Sequence, residues 1–132
     1  MTTEIAILTT ALLDMPQVAC PVNHHFAPGV YLRQIFMPAG TFVVGHRHKT
    51  EHFNIILQGR VRLLVDGKVV EYAAPYTFVS QAGVQKVLYV LEDTIWQTIH
   101  QTEETDIATL EAEIVEPSQE KITHEQQKEL TQ

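Results

Sequence analysis

Apolar and polar residues alternate over short runs through the middle of the chain, and turn residues separate the runs. Runs of this length, rich in β-branched and aromatic residues, are typical of half-buried β-strands. Asp66-Gly67 lies between two apolar runs, which is the pattern of a two-residue hairpin. The alternation predicts strands at 30–37, 41–48, 52–58, 61–65, 68–72, 77–80, 86–91 and 94–100.

After the last of these strands, the spacing of apolar residues changes from the period of a strand to that of a helix. Ile107, Leu110 and Ile114 recur at helical spacing, acidic residues precede them, and Pro117 follows. No long helical pattern separates the strands, so the sequence predicts an all-β sandwich or barrel with a short C-terminal helix. We divide the chain into an N-terminal arm at 1–28 with room for one short strand, a β core at 29–100, a helix within 101–117 and a polar tail at 118–132.

Composition narrows the classes of function. The 132 residues suffice for one domain, and 45% of them are hydrophobic. With a net charge of -7 and only 9 Lys and Arg, the chain lacks the basic surface that binds nucleic acid or an anionic membrane. Cys20 is the single cysteine and cannot form an intramolecular disulfide. With no targeting or membrane-spanning segment in view, we expect a cytoplasmic protein.

Histidines cluster at one point of the predicted β core. His46 and His48 are two residues apart on a predicted strand, so their rings share one face. If the chain reverses over residues 49–51, His52 begins the neighbouring strand and can face the same pocket. Three imidazoles held by strands can form one side of a metal site.

The segment GTFVVGHRHKTEHFNIILQG, from Gly40 to Gly59, resembles the first motif of the cupin superfamily. That motif is Gly, five residues, His-x-His, three or four residues, Glu, six residues and Gly. The spacing matches throughout, with His46 and His48 at the paired histidines. His52 stands at the position of the glutamate.

The second cupin motif is weaker in this chain. Gly83 matches its inner glycine, whereas Lys86 stands where the motif has a histidine ligand. A protonated lysine has no lone pair for a metal, so Lys86 aimed into this pocket would instead repel a dication or bind an anionic ligand. The amino-acid sequences of both segments also resemble those of small cupin-like proteins encoded in phage genomes.

The resemblance implies a jelly-roll barrel of two antiparallel sheets, forming a homodimer. It also implies a divalent transition metal (Fe, Mn, Ni or Zn) on His46, His48 and His52. His100 shares a face with Trp96 and is a candidate for a fourth metal ligand or a proton acceptor. Glu51, beside His52, is the nearest carboxylate and a second candidate for proton transfer.

Three functions remain open from the sequence. The first is a metal-dependent enzyme acting on a small polar substrate. The second is a non-enzymatic pocket that binds a small, anionic molecule. The third is a structural or accessory protein, phage-encoded, with a metal-free pocket. Cupin folds host many functions, so the fold does not choose among them.

Overall fold

The computed structural model describes residues 19–44, 49–65, 67–84 and 86–114. Within these ranges the chain forms a run of strands followed by a short helix. The strands are β1 (Val22–Ala27), β2 (Val30–Met37), β3 (Phe42–Val44), β4 (His52–Gln58), β5 (Arg60–Val65), β6 (Lys68–Ala73), β7 (Tyr76–Ser80), β8 (Val87–Val90) and β9 (Thr94–Gln101), and the helix is α1 (Ile107–Ile114).

The strands form two antiparallel sheets that face each other. The five-stranded sheet has the order β1-β2-β9-β4-β7, and the four-stranded sheet has the order β3-β8-β5-β6. Neighbours in each sheet are mostly distant in sequence, as β2 and β9 are. The predicted all-β fold with two antiparallel sheets and one short helix is confirmed.

Local signals placed several elements correctly. β2 and β4 begin and end at the predicted residues. Val65 pairs with Lys68, and Gly67 has φ +75°, so the predicted two-residue hairpin is present. β1 lies in the N-terminal arm and pairs with β2 along its whole length.

The core fills the space between the sheets. Strand alternation sends every second side chain inward, where apolar residues of both sheets interlock. Burying such a side chain completely contributes about 1.5–3 kcal/mol. The main cluster of buried residues is Cys20, Ile35, Met37, Val43, Ile56, Val61, Leu63, Leu88, Val90 and Trp96.

Helix α1 packs at one end of the sandwich. Asp106 caps it, because its carboxylate accepts hydrogen bonds from the backbone N–H of Thr109 (2.9 Å) and from its hydroxyl (2.7 Å). Leu110, only 1% exposed, packs against Tyr31 on β2. No helix in the described part of the chain is long and apolar enough to cross a membrane.

Candidate functional site

Two of the predicted histidines meet between the sheets. His52 begins β4 and His100 lies near the end of β9, where the pairing of Phe53 with Ile99 brings them side by side. Their rings are 4.7 Å apart between centroids and inclined by 29°. The two residues are 5% and 3% exposed, so both face the interior.

Hydrogen bonds orient both rings. Nδ1 of His52 lies 3.2 Å from the carbonyl oxygen of Thr50. Because a carbonyl only accepts, Nδ1 carries the proton, and the lone pair of the neutral ring is on the buried Nε2. Nε2 of His100 lies 3.1 Å from the hydroxyl of Thr98, which shares its face of β9.

The histidine pair continues a row of stacked rings across the five-stranded sheet. Tyr31 of β2 stacks on His100 at 5.8 Å, and Phe26 of β1 stacks on Tyr31 at 5.2 Å. The hydroxyl of Tyr31 also lies 2.7 Å from Nδ1 of His24. The row holds His100 and Tyr31 in place from both sides, and Leu110 of α1 packs against Tyr31.

Two cations act on this pair from different sheets. Lys86, half-buried, immediately precedes β8 of the four-stranded sheet and acts electrostatically on both histidines. Arg33 lies on β2 between the buried Tyr31 and Ile35, two residues away on either side, so alternation turns it inward too. Arg33 acts on His100. Among the described residues, the charged side chains that act on the histidines are therefore both positive.

Burial and these charges keep the imidazoles neutral. Burial lowers the pKa of His52 to about 4; the carbonyl of Thr50 opposes this, and the charge of Lys86 adds to it. Burial lowers the pKa of His100 to about 3, helped by His52, Arg33 and Lys86. Burial also lowers the pKa of Lys86 to about 8, so that most of it stays protonated at pH 7.

The other predicted site residues fall outside this cluster or outside the described ranges. His46 and His48 lie outside the described residues. Glu51 is exposed, next to the buried His52. His52 begins a strand, as predicted, and that strand, β4, lies in the sheet opposite β3. Alternation predicts which face a residue takes but not which sheet receives its strand.

Sequence reasoning missed Arg33 and Tyr31 as members of this site. A signal for Arg33 was present, because it occupies an inward position of a strand whose bounds were predicted. A charged residue at such a position is unusual unless it is paired or binds something. Tyr31 carried no comparable signal, since an inward tyrosine is ordinary core.

The donor set tests whether the described residues fit the metal that the resemblance implies. Neutral His52 and His100 have the right chemistry, but catalytic metal sites in proteins generally take three protein ligands. No group of three or more His, Cys, Asp or Glu among the described residues could hold a metal ion. With Lys86 and Arg33 nearby, a dication would also be repelled. The described residues therefore do not by themselves make a metal site.

Known structures share this arrangement of strands. A conserved protein of unknown function from Streptococcus pyogenes has a TM-score of 0.55 and 18% identity, covering 67% of this chain and 79% of its own. A cupin superfamily protein from Desulfitobacterium hafniense has a TM-score of 0.57 and 12% identity. The match covers 69% of this chain and 84% of that protein. Salicylate 1,2-dioxygenase from Pseudoaminobacter salicylatoxidans, solved with gentisate, has a TM-score of 0.59 and 13% identity. The match covers 86% of this chain and 34% of the enzyme.

By sequence alone, no protein-family profile and no curated protein matches the chain. The structural likeness is therefore a likeness of fold, at identities too low to carry over an activity. The chain has the cupin fold, which confirms what the first motif predicted.

Proposed function

We propose that this cupin-fold chain binds a small anionic molecule between its two sheets, without a metal, and that Lys86 and Arg33 are its cationic partners. The observation that carries the proposal is that the charged groups acting on the buried histidine pair, among the described residues, are both positive. An anion that enters this space gains hydrogen bonds from charged donors in a medium of low dielectric constant.

The two cations differ in what they offer. Arg33 has a planar guanidinium that can bind a carboxylate or phosphate with two hydrogen bonds, whereas Lys86 acts as a point charge. Arg33 lies on the five-stranded sheet and Lys86 precedes a strand of the other sheet, and both act electrostatically on His100. The neutral imidazoles of His52 and His100 add polar contacts without adding charge.

The experiment is a thermal unfolding assay with inorganic phosphate, oxalate and gentisate as probes. Gentisate is included because the salicylate dioxygenase of the same fold was solved with it. Ligand at 100 times its Kd adds about 2.7 kcal/mol to the free energy of unfolding, which raises Tm by several degrees. We expect at least one probe to do so, and a chain that none of them stabilises would contradict the proposal.

Matched lysine variants assign the effect to the pocket. Lys86→Met should abolish the stabilisation, whereas Lys68→Met, at an exposed position of β6, should keep it. The affinity should also fall above about pH 8, where Lys86 loses its proton. Equal loss in both variants would mean that the probes bind through general surface charge.

A metal-holding pocket is the second candidate. It is favoured by the contact between the rings of His52 and His100 and by the orientation of the His52 ring. The Nδ1–H of His52 is bonded to a backbone carbonyl, which is how proteins commonly orient a ligating histidine and leave Nε2 for the metal. In this alternative His46 and His48 complete the ligand set with His52 and His100. The metal would act as a Lewis acid toward a polar substrate.

Metal content separates the two candidates. Elemental mass spectrometry on the untagged chain should find no stoichiometric Fe, Mn, Ni or Zn under our first proposal. About one metal per chain in the wild type and in His25→Ala, with little in His48→Ala, would instead establish the second. The His25 variant is the control, because His25 is exposed on the edge strand β1.

The cellular setting belongs to the same proposal. A cytoplasmic protein that captures a small metabolite, in the cell or in the host of a phage, fits an anion pocket without catalytic machinery. Proton-transfer roles for His100 and Glu51 stay predictions of the sequence. Turnover of a bound probe would support them.

A further inference from the structure

The orientation of the His52 ring determines which of its two nitrogens accepts a hydrogen bond. Nδ1 lies 3.2 Å from the carbonyl oxygen of Thr50. A carbonyl oxygen only accepts, so Nδ1 carries the ring proton and Nε2 has the lone pair of the neutral ring. Burial of His52, which is 5% exposed, disfavours the charged ring. His52 therefore presents a hydrogen-bond acceptor at Nε2, and not a donor.

The charged side chains around this acceptor are donors. Lys86 acts electrostatically on His52 and His100, and Arg33 acts on His100, whose ring lies 4.7 Å from that of His52 between centroids. An ammonium and a guanidinium donate hydrogen bonds and cannot accept them. Within the described part of the chain, this cluster therefore combines two cationic donors with a neutral acceptor.

That combination distinguishes between two kinds of anion. A fully deprotonated anion has only acceptor atoms, so it can bind Lys86 and Arg33 but brings a lone pair toward Nε2 of His52. An anion that keeps one O–H group matches both kinds of side chain, because its charged oxygen accepts from the cations and its O–H donates to Nε2. A buried acceptor that loses water without gaining a donor weakens binding.

We propose that the anion bound between the sheets carries its own hydroxyl group, as hydrogen phosphate and 2-hydroxycarboxylates do, and that His52 selects it. This inference rests on the anion pocket proposed above and names the class of its ligand. The neutrality of the acceptor matters, since a carboxylate at position 52 would also accept from the hydroxyl but would repel the anion. An imidazole accepts from the hydroxyl without that repulsion.

The test is isothermal titration calorimetry at pH 7 with two matched pairs of probes. Hydrogen phosphate and sulfate are both tetrahedral oxyanions, but only hydrogen phosphate has an O–H group. Glycolate and acetate are both carboxylates, but only glycolate has a hydroxyl. We expect the hydroxyl-bearing member of at least one pair to bind about 10-fold more tightly or better, because the other member leaves Nε2 without a donor.

The pair that discriminates also identifies the source of the hydroxyl. A preference for hydrogen phosphate over sulfate indicates a phosphate ligand, whereas a preference for glycolate over acetate indicates a hydroxycarboxylate. Sulfate carries the larger charge at pH 7, so attraction to Lys86 and Arg33 alone would favour sulfate. A preference for hydrogen phosphate therefore cannot arise from charge.

A matched pair of variants assigns the preference to His52. His52→Phe keeps a flat ring and removes Nε2, so the ratio of the two Kd values in the discriminating pair should fall to about 1. His25→Phe, at an exposed position of β1, should keep the ratio of the wild type. Circular dichroism establishes that both variants are folded. A ratio that His52→Phe leaves unchanged would overturn the role of His52.

Nitrogen NMR of the histidine rings in the wild-type chain tests the same point without a substitution. The Nε2 resonance of His52 should be that of an unprotonated nitrogen, and it should move with the hydroxyl-bearing probe but not with its matched partner. A proton on Nε2, or equal binding of both members in each pair, would overturn this inference and leave the anion pocket standing. Failure of all four probes, and of oxalate and gentisate, would overturn the anion pocket as well.

Discussion

Gly59, at the junction of β4 and β5, is a residue where the backbone tolerates little change. Its φ is +95°, in the left-handed region that disfavours side chains. A Cβ at this position would also collide with the carbonyl oxygen of Asp93 and with Thr94. Gly40, the other end of the first motif, has φ +88° but open space around it. The two motif glycines are therefore required for different reasons.

Gly59→Ala should lower the free energy of unfolding by about 2–4 kcal/mol, because left-handed strain and steric overlap add together. Gly40→Ala should cost only about 1–2 kcal/mol, the strain alone. Urea unfolding of both variants checks this, and equal losses would show that the overlap at Gly59 relaxes freely.

Three strands of the larger sheet are joined by a buried polar network centred on Asn54 of β4. Its Nδ2 donates to the hydroxyl of Ser80 on β7 at 2.7 Å. Its Oδ1 accepts from Nε1 of Trp96 on β9 at 3.0 Å. Asn54 is 1% exposed, so water cannot replace either bond. The network fixes the mutual position of the strands that carry His52 and His100.

Asn54→Leu, which keeps the side-chain volume, should lower the free energy of unfolding by about 2–4 kcal/mol, because it leaves the indole N–H of Trp96 and the hydroxyl of Ser80 without their Asn54 partner in the core. Ser80→Ala should cost about 1 kcal/mol, since the amide keeps its other bond. In the double variant the losses should fall short of their sum, because Asn54→Leu already removes the partner of Ser80. Strict additivity in a denaturation cycle would argue against a coupled network.

The stability of the whole molecule should depend on the buried histidines. His52 and His100 have folded-state pKa values of about 4 and about 3, against an ordinary value near 6.5. The unfolded chain then binds more protons below about pH 6.5, so stability is full above that pH and declines as pH falls toward 4. One unit of pH across this window is worth up to about 1.4 kcal/mol for each histidine.

Urea unfolding at pH 7 and pH 5 measures this loss. Wild type should lose about 1–2 kcal/mol for each histidine, together with whatever its carboxylates contribute. His52→Gln should show a smaller difference between the two pH values, while His25→Gln, changed at an exposed site, should match wild type. A pH dependence that His52→Gln leaves unaltered would contradict the assignment.

The strand ends were predictable because they depend on neighbours in sequence. The bounds of β2 and β4 follow from alternation and from flanking turn residues, and the hairpin at Gly67 follows from Asp-Gly. The cupin fold was also predictable from the motif spacing. His52 and His100 could both be named as candidates, because histidines at inward positions of strands are conspicuous in a short sequence.

Which groups meet was decided by tertiary structure, because strand pairing is not local. His52 and His100 are far apart in the chain and touch only because β4 lies beside β9. Arg33 joins them through the pairing of β2 with β9, and Lys86 through the opposite sheet. The sequence by itself determined most of the strands, their inward faces and the fold. The packing of the two sheets decided that, among the described residues, Lys86 and Arg33 act on the same buried histidine pair.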